Sequence, residues 1–255
     1  MLPEQRRRKI LELIQEEGSA KVATLKELFS VTEPTIRQDL DKLEEEGYVV
    51  RQHGGAYLKT IPNQVRSMSL QHSTNMDKKA RLGAKALQYI EDGDTIILDA
   101  GTTITEIAQR LENFNNLNVV TSALNIALAL GSRFNMQVML TGGEFKPPTL
   151  SVTGEQAAKF FDNSIVAGKL FLAVTGISDD GILTYPGLSD IPLKKAMIGA
   201  AREVFLVADS TKMGRISFAA LGNVDMVQHI ITNPDVDEKF VEMFKAKGVD
   251  VILSD

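Results

Sequence analysis

The sequence of 255 residues contains no cysteine and no long apolar run. Without cysteine there can be no disulfide bond, thiolate metal site or cysteine nucleophile. The N-terminus carries a basic cluster followed by a helix mixed with charges, and no segment approaches the roughly 20 apolar residues that a transmembrane helix needs. We therefore expect a cytoplasmic protein that does not enter a membrane and that needs neither a metal nor a cofactor.

The chain also lacks an excess of positive charge, since 28 Lys and Arg against 33 Asp and Glu give a formal net charge of -5. Such a chain does not coat nucleic acid by bulk charge, because non-specific affinity grows with the number of phosphates neutralised. The basic residues of interest are local, with a cluster at Arg6, Arg7, Arg8 and Lys9 and single residues at Arg37, Lys42 and Arg51. Any contact with DNA must therefore be a small, oriented footprint.

What is present is the composition of a globular protein, with 44% hydrophobic and 24% charged residues. Such a chain can bury a sizeable core, and its length favours two domains. The first sixty residues predict three short helices. Apolar residues recur at helical spacing from Glu4 to Glu17 and again from Val22 to Phe29, and Thr32 is a suitable N-cap for a third helix that runs to about Glu46.

After the third helix, "YVVRQ" and "AYLK" read as two short strands around the turn "HGG", because glycine supplies the dihedral angles that a hairpin tip needs. Three helices followed by a hairpin predict a winged helix-turn-helix domain over residues 1–58. In its third helix Ile36, Leu40 and Leu43 share one side. The residues left on or near the outer surface are Thr35, Arg37, Gln38 and Lys42.

This outer face has the chemistry to read DNA. A recognition helix inserts its N-terminal side chains into the major groove, where arginine pairs with guanine and glutamine with adenine. We therefore take Arg37 and Gln38 as base-reading candidates, and Thr35 as a phosphate contact. The hairpin tip, with Arg51, His53 and Gly54, is a candidate contact to the neighbouring backbone or minor groove. Taken singly, each of these residues could equally be an ordinary solvated surface residue.

Residues 59–75, which lie between the two predicted domains, lack clear periodicity and contain Pro62, Asn63 and several Ser and Thr. We place the domain connection there and read His72 within it as solvated. Over residues 76–255 continuous apolar runs such as "DTIILDA", "NVVTS" and "EVFLVADS" alternate with helical patterns. This alternation predicts an α/β domain with a mainly parallel sheet in a three-layer sandwich.

In open α/β sheets, ligands bind beyond the carboxyl ends of the strands. The residues that follow the predicted strands are Asp99, Gly101, Thr102, Thr103, Ser122, Thr141, Gly142, Gly143, Gly176, Asp209, Ser210 and Lys212. The loop "DAGTT" at a helix start suits an anion, because free backbone N–H groups and the helix dipole point at it. Lys194 and Lys212 can balance the charge of a phosphate, and Asp99 can bind sugar hydroxyls. The alternative for each is an ordinary turn, cap or surface residue.

Both halves of the sequence resemble the DeoR-type bacterial transcription regulators. The resemblance rests on "RRRKILELI" and "TIRQDLDKLEEEGYVVRQHGGA" in the first half and on "LDAGTT", "VVTSALNIA", "TGGEF", "LKKAMI" and "ADSTKMGR" in the second. Thr35, Arg37 and Asp39 match the recognition helix of that family, and Lys194 and Lys212 match lysines of its sensor domain. Gln38 stands where the family most often has arginine, and Pro192 where it commonly has glutamate.

The resemblance implies a sensor domain similar to sugar-phosphate isomerases such as ribose-5-phosphate isomerase, with a phosphorylated sugar as effector. It implies a sequence-specific regulator of double-stranded operator DNA, more often a repressor of a sugar or carbohydrate operon than an activator. Two DNA-reading heads require at least a dimer, so we expect a homodimer or homotetramer. Asp39 is read as a helix-positioning partner for a nearby basic residue, because an exposed carboxylate would be repelled by phosphates.

Two other classes of protein stay open at this point. One is a sugar-phosphate isomerase or deaminase that carries a DNA-binding domain, with Asp99, Glu144, Asp179 and Asp180 as acid-base candidates. Against it, only His229 lies in this domain, within a strand-like run, and no base is paired with an orienting group. The other class is an interaction scaffold without a ligand, which leaves the glycines and lysines at the sheet edge unexplained.

Overall fold

The computed structural model describes residues 2–17, 19–52, 54–59, 75–162 and 165–255. The chain forms two compact units, one made mainly of residues 1–68 and the other mainly of residues 69–255, and each unit is described by itself. The predicted connection at 59–75, including His72, falls outside the described residues except for its two end positions.

The first unit has three helices and a small sheet, and its helices match the predicted ones closely. Its elements are α1 (Pro3–Glu17), β1 (Ser19–Lys21), α2 (Val22–Phe29), α3 (Glu33–Glu45), β2 (Val49–Gln52) and β3 (Gly55–Leu58). Ile10, Leu25, Ile36 and Leu40 are fully buried in a shared core. Helical spacing of these apolar side chains is what packs the three helices together.

The sheet of the first unit has three antiparallel strands in the order β1, β3, β2, whereas the sequence predicted only the hairpin of β2 and β3. The additional strand explains one of the two glycines at the tip. Gly54 has φ +86°, which suits a turn, but a Cβ on Gly55 would lie 2.3 Å from the carbonyl oxygen of Ala20 on β1. Gly55 is therefore required for the close approach of strands rather than for its dihedral angle.

The second unit is built on a seven-stranded sheet in which every pair of neighbours is parallel, as the sequence predicted. From one edge to the other the strands run β15 (Asp250–Leu253), β14 (His229–Thr232), β12 (Ala201–Val207), β9 (Ala167–Leu172), β4 (Thr95–Leu98), β5 (Leu117–Thr121) and β6 (Met136–Leu140). Their carboxyl ends therefore all lie along one edge.

Helices cover both faces of this sheet, which gives the predicted three layers. Ile96 and Leu98 of β4 pack into a core with α4 (Met76–Ala86), α5 (Thr102–Gln109) and α6 (Leu124–Leu130). Ile97 packs on the opposite face with α7 (Glu155–Lys159), α8 (Asp190–Ala200) and α9 (Glu238–Ala246). Alternate strand residues point to opposite faces, so a strand covered on both sides is apolar throughout.

Two small antiparallel sheets complete the second unit, and neither was predicted. One pairs β7 (Glu144–Lys146) with β8 (Ser151–Thr153), and the other has the order β10 (Gly176–Ile177), β11 (Ile182–Tyr185), β13 (Ala219–Asn223). Strands β7, β8 and β10 have only two or three residues, which is too short to show a pattern. Within the described ranges, no helix is long and apolar enough to cross a membrane.

Candidate functional site

The third helix of the first unit presents a polar outer face. Arg37, Gln38 and Lys42 are exposed and Thr35 is half-buried, whereas Ile36 and Leu40 are fully buried on the opposite side. The hydroxyls of Thr32 and Thr35 lie 2.8 Å apart at the start of the helix. The structure therefore brings the four predicted base and phosphate contacts onto one surface of α3.

A buried ion pair connects this helix to α1. Arg6 Nε of α1 donates to Asp39 Oδ2 at 2.5 Å, and Arg6 Nη2 lies 3.3 Å from Asp39 Oδ1. The side chains are 9% and 3% exposed, and Arg7 Nη1 approaches the same carboxylate at 3.8 Å. The predicted pairing of Asp39 with a nearby basic residue is confirmed, and its role in positioning the helix stays a prediction.

The basic residues of the outer face pair with acidic neighbours one turn away. Arg37 Nη2 lies 2.5 Å from Glu33 Oε1, and Lys42 Nζ lies 2.9 Å from Glu45 Oε2. The hydrogen bond and charge of Arg37 lower the pKa of Glu33, and those of Glu45 raise the pKa of Lys42. Exposed pairs of this kind are weak and screened by salt, so both cations can exchange a carboxylate for DNA.

The wing arginine, Arg51, contacts the third helix. Arg51 is 18% exposed and donates to Asp41, and its Nη1 lies 3.1 Å from the carbonyl oxygen of Arg37. Its backbone N–H also donates to Glu44 Oε1 at 2.7 Å. Arg51 thus fastens the wing to α3, and its contact with DNA stays a prediction. His53 lies outside the described residues, and Gly54 lies beside it at the tip.

In the second unit, the predicted anion loop lies at the carboxyl end of β4. Gly101 has φ +135° and precedes α5, which begins at Thr102. The Gly101 carbonyl accepts hydrogen bonds from the Thr105 N–H at 3.0 Å and the Thr105 hydroxyl at 2.9 Å. The first-turn N–H groups of a helix have no intrahelical acceptor, so Thr102 and Thr103 offer donors together with the positive end of the helix dipole.

Asp99 and Lys194 meet each other at this edge, although the sequence predicted them as separate ligand contacts. Asp99 is fully buried, Lys194 is 5% exposed, and the ammonium donates directly to Asp99 Oδ1. The N–H groups of Ala100 and Ala173 donate to the same carboxylate at 2.7 and 3.1 Å. This arrangement braces β4, β9 and α8, and direct ligand contacts by the pair stay a prediction.

The carboxyl end of β12 holds a second set of charged residues. Asp209 is fully buried, and its Oδ1 accepts from the N–H of Thr211 at 3.0 Å. Its Oδ2 is buried and has no hydrogen-bond partner among the described residues. Lys212 follows in the same turn and is half-buried. An unsatisfied buried carboxylate oxygen beside a lysine is suited to accept from a ligand hydroxyl.

The sequence analysis missed a third member of this set, Lys79 of α4. It is 6% exposed, and its pKa is lowered first by burial and then by the charge of Lys212, against smaller opposing effects of Asp209 and Glu106. The signal was present in the sequence, because Lys79 shares the buried face of α4 with Leu82, Gly83 and Ala86. A lysine at such a position is not a surface residue.

Small and hydroxyl residues follow the remaining strands. Ser122 and Thr141 are 1% and 2% exposed, and their hydroxyl oxygens have no hydrogen-bond partner within the described ranges. Gly142 and Gly143 are exposed, and a Cβ on Gly143 would lie 2.6 Å from the carbonyl oxygen of Thr153. Gly176 belongs to β10 rather than to a strand end of the main sheet, and its Cβ would lie 2.4 Å from the Arg215 carbonyl oxygen.

Three acid-base candidates of the enzyme hypothesis, Asp99, Asp179 and Asp180, have polar partners within the fold. Asp179 pairs with Lys239 at 3.0 Å, and the hydroxyl of Ser178 lowers the pKa of Asp180. His229 begins β14 and therefore lies at the amino edge of the sheet, stacked on Phe205. In the described part of the chain no group of three or more His, Asp or Glu residues could hold a metal ion.

Family models match both units. The DeoR-like helix-turn-helix domain matches residues 6–61, and the DeoR C terminal sensor domain matches residues 74–234. Among solved structures, ribose 5-phosphate isomerase A from Methanocaldococcus jannaschii has a TM-score of 0.40 at 14% identity over 55% of each chain. The Pyrococcus horikoshii OT3 translation initiation factor eIF-2B has a TM-score of 0.43 at 15% identity over 89% of this chain and 86% of that one.

Full-length relatives share the family. The HTH-type transcriptional regulator YulB of Bacillus subtilis is 34% identical over 98% of this chain and 96% of its own. The glycerol-3-phosphate regulon repressor of Escherichia coli K12 is 32% identical over 90% of both chains, and the HTH-type transcriptional repressor GlcR of B. subtilis is 29% identical over all of this chain and 98% of its own. The chain therefore belongs to the DeoR family of helix-turn-helix transcriptional regulators, with a DNA-binding domain and an effector-sensing domain, and it is not an enzyme.

Proposed function

We propose that this regulator represses an operon of sugar or carbohydrate metabolism and that a phosphorylated sugar, bound at the carboxyl edge of the parallel sheet, controls it. Two of the relatives above are repressors by name, and one of them is a glycerol-3-phosphate regulon repressor. The observation that carries the proposal is the buried carboxylate of Asp209, whose Oδ2 has no hydrogen-bond partner among the described residues and which caps the short turn that contains Lys212. The charge of Lys212 also contributes to the lowered pKa of the buried Lys79.

This edge of the sheet offers two kinds of chemistry to one ligand. The two lysines supply positive charge, and the first turn of α5 at Thr102 and Thr103 supplies backbone N–H donors, so together they suit a phosphate. The carboxylate of Asp209 and the hydroxyls of Ser122 and Thr141 suit sugar hydroxyls, since each has unused hydrogen-bonding capacity. A sugar that carries a phosphate is the simplest ligand that uses both sets.

Control of transcription follows from linkage between the two ligands. A phosphorylated sugar that fits one arrangement of the chain better than another shifts its affinity for DNA, and DNA must change the affinity for the sugar by the same factor. We further propose that the protein acts in the cytoplasm as a homodimer or homotetramer. Two linked heads multiply the affinity of a single winged helix and match paired half-sites in operator DNA.

The effector class is tested by thermal unfolding of the purified protein with triose, pentose and hexose phosphates, each beside its unphosphorylated parent. A ligand that binds the native state raises the unfolding temperature, and a ligand at 100 times its dissociation constant adds about 2.7 kcal/mol. We expect stabilisation by a phosphorylated member and not by its parent. Stabilisation by free sugars alone would contradict the assignment of Lys79 and Lys212 to a phosphate.

The DNA-reading face is tested with Arg37→Ala on a duplex that the wild type selects from a random pool. We expect about tenfold or greater loss of affinity, because an arginine paired with a base contributes about 1–3 kcal/mol of discrimination. Affinity for a scrambled duplex should change much less, and phosphorylated sugars should stabilise the variant as before. Arg202→Ala, an exposed arginine of the second unit, is the matched control. Normal binding by Arg37→Ala would remove this residue from the interface.

A further inference from the structure

The start of α4 holds the turn that contains the proposed ligand residues of β12. Lys78 Nζ donates to the hydroxyl of Ser210 at 2.7 Å, and Asn75 Nδ2 donates to the hydroxyl of Thr211 at 3.3 Å. Ser210 and Thr211 lie directly between Asp209 and Lys212. The two contacts therefore connect α4 with the very turn that sets the position of both charged groups.

Further polar contacts, made by Asn233 and Asp235, extend these two hydrogen bonds into a network. Lys78 Nζ also lies 2.5 Å from Asp235 Oδ2, and the hydrogen bond from Lys78 is the main reason why the pKa of Asp235 lies below its usual range. Asn233, which is 2% exposed, donates to the Lys78 carbonyl at 3.2 Å and accepts from the Ser210 N–H at 3.4 Å. Residues 75, 78, 210 and 235 are thus held by polar contacts.

Asn75, Lys78 and Asp235 line a partly open cavity of about 620 Å³ between the start of α4 and residues 233–235. Lys78 and Asp235 are 31% and 58% exposed, so water can replace either partner. Polar contacts beside an open cavity can rearrange at lower cost than a packed apolar core, in which every displaced side chain leaves a void. The network is therefore suited to have two arrangements.

Asn75 departs from the ordinary start of a helix in a way that fits such a role. An N-cap residue normally has an extended backbone, and its side chain accepts a hydrogen bond from the first turn. Asn75 has φ 56° and ψ 34°, makes no side-chain cap bond, and directs its amide to Thr211 instead. Asn75 thus lacks the usual N-cap hydrogen bond and makes a long-range contact instead, and such departures from local preference are typical of functional positions.

The location of the network joins the ligand site to the DNA-binding unit along the chain. Lys79, the buried lysine of the ligand site, directly follows Lys78. On the other side, Asn75 is the first described residue after segment 60–74, through which the chain reaches the first unit. Residues 75–79 therefore contain the proposed ligand contact of Lys79, the two residues that contact the ligand turn, and the first described residue after segment 60–74.

We propose that Asn75 and Lys78 are positioning residues that transmit occupancy of the sugar-phosphate site to the DNA-binding unit by coupling the Ser210–Lys212 turn to the start of α4. The inference rests on the proposed function, because it takes that site as its input. A phosphate that binds both Lys79 and Lys212 contacts the start of α4 and the Ser210–Lys212 turn at the same time. The Lys78 and Asn75 contacts then determine whether the start of α4 moves with the turn.

The test separates binding from transmission in Lys78→Met and Asn75→Ala. The probe is the member of the sugar-phosphate panel that gives wild type its largest thermal shift, and the readouts are that shift and the affinity for the selected duplex. In wild type we expect the probe to weaken DNA binding at least tenfold. In both variants we expect the thermal shift to remain while the effect on DNA falls below threefold.

Two controls and a second variant fix the interpretation. Lys85→Met, on the same helix, should behave as wild type in both readouts, and Lys212→Met should lose both. If Lys78→Met does not fold, Asp235→Asn weakens the same network at an exposed residue. Variants that keep both effects, or lose both, would overturn the transmission role. Absence of any thermal shift in wild type would instead overturn the sugar-phosphate site, and the inference with it.

Discussion

Asp39→Ala should lower the free energy of unfolding of the DNA-binding unit by about 3–5 kcal/mol, because it leaves the guanidinium of Arg6 buried without its partner. Arg6 is 8% exposed and reaches Asp39 across 33 positions of sequence. A unit of some sixty residues buries too little surface to absorb such a loss. We therefore expect the helices of this unit to unfold and DNA binding to be lost, while the second unit stays folded.

Hydrogen exchange resolves this result, because it reports each segment separately. Peptides from α1 and α3 should lose protection, and peptides from β4 and β9 should keep it. Arg8→Ala is the control, since the exposed pair of Arg8 with Glu12 contributes less than about 1 kcal/mol. The double variant Arg6→Met with Asp39→Leu should recover much of the lost stability, because an apolar pair avoids the cost of burying charges. Equal protection in Asp39→Ala and wild type would show that the pair does not hold α3.

The elements that could be predicted from the sequence are those with a repeated apolar pattern. Helices α1 to α3 carry apolar residues at helical spacing, and the seven strands of the main sheet are mostly continuous apolar runs. Strand β1 has only three residues, "SAK", and pairs with β3 across more than thirty positions, so no local pattern could reveal it. Strands β7, β8 and β10 of the small antiparallel sheets were likewise too short, at two or three residues, to show a pattern.

The candidate site was predictable as a location but not in its internal pairing. The rule that ligands bind at carboxyl ends of strands placed Asp99, Thr102, Asp209 and Lys212 at one edge of the sheet. It could not show that Lys194 forms an ion pair with Asp99, 95 positions away, because that pairing depends on how α8 packs on β4. Similarly, the place of Arg51 on the wing could not show that its side chain donates to the carbonyl oxygen of Arg37; its contact with DNA stays a prediction.

Lys79→Met should reduce the thermal shift produced by a given concentration of phosphorylated sugar without destabilising the unliganded protein. The pKa of Lys79 lies below the ordinary lysine range, so folding disfavours its charged form. A group with a lowered pKa contributes most to stability above its unfolded pKa, and that contribution is lost as pH falls through the folded pKa. At neutral pH the charge of Lys79 is therefore a cost to the unliganded fold, and methionine removes it.

When a phosphate is bound, the charge of Lys79 becomes favourable instead of a cost. The charged lysine then makes a hydrogen bond to the phosphate that contributes about 1.5–3 kcal/mol, or about tenfold or more in affinity. In wild type the sugar-phosphate affinity should fall as pH rises through the lowered pKa of Lys79, and Lys79→Met should lose that alkaline dependence.

Lys194→Met is the matched comparison, since it also removes a buried lysine from this edge but leaves the fully buried Asp99 without its cation, at a cost of about 3–5 kcal/mol. Thermal unfolding of both variants across pH, with and without the sugar phosphate, measures all of these effects. If Lys79→Met were as unstable as Lys194→Met, Lys79 would belong to the structural ion pairs of the fold and not to the phosphate site.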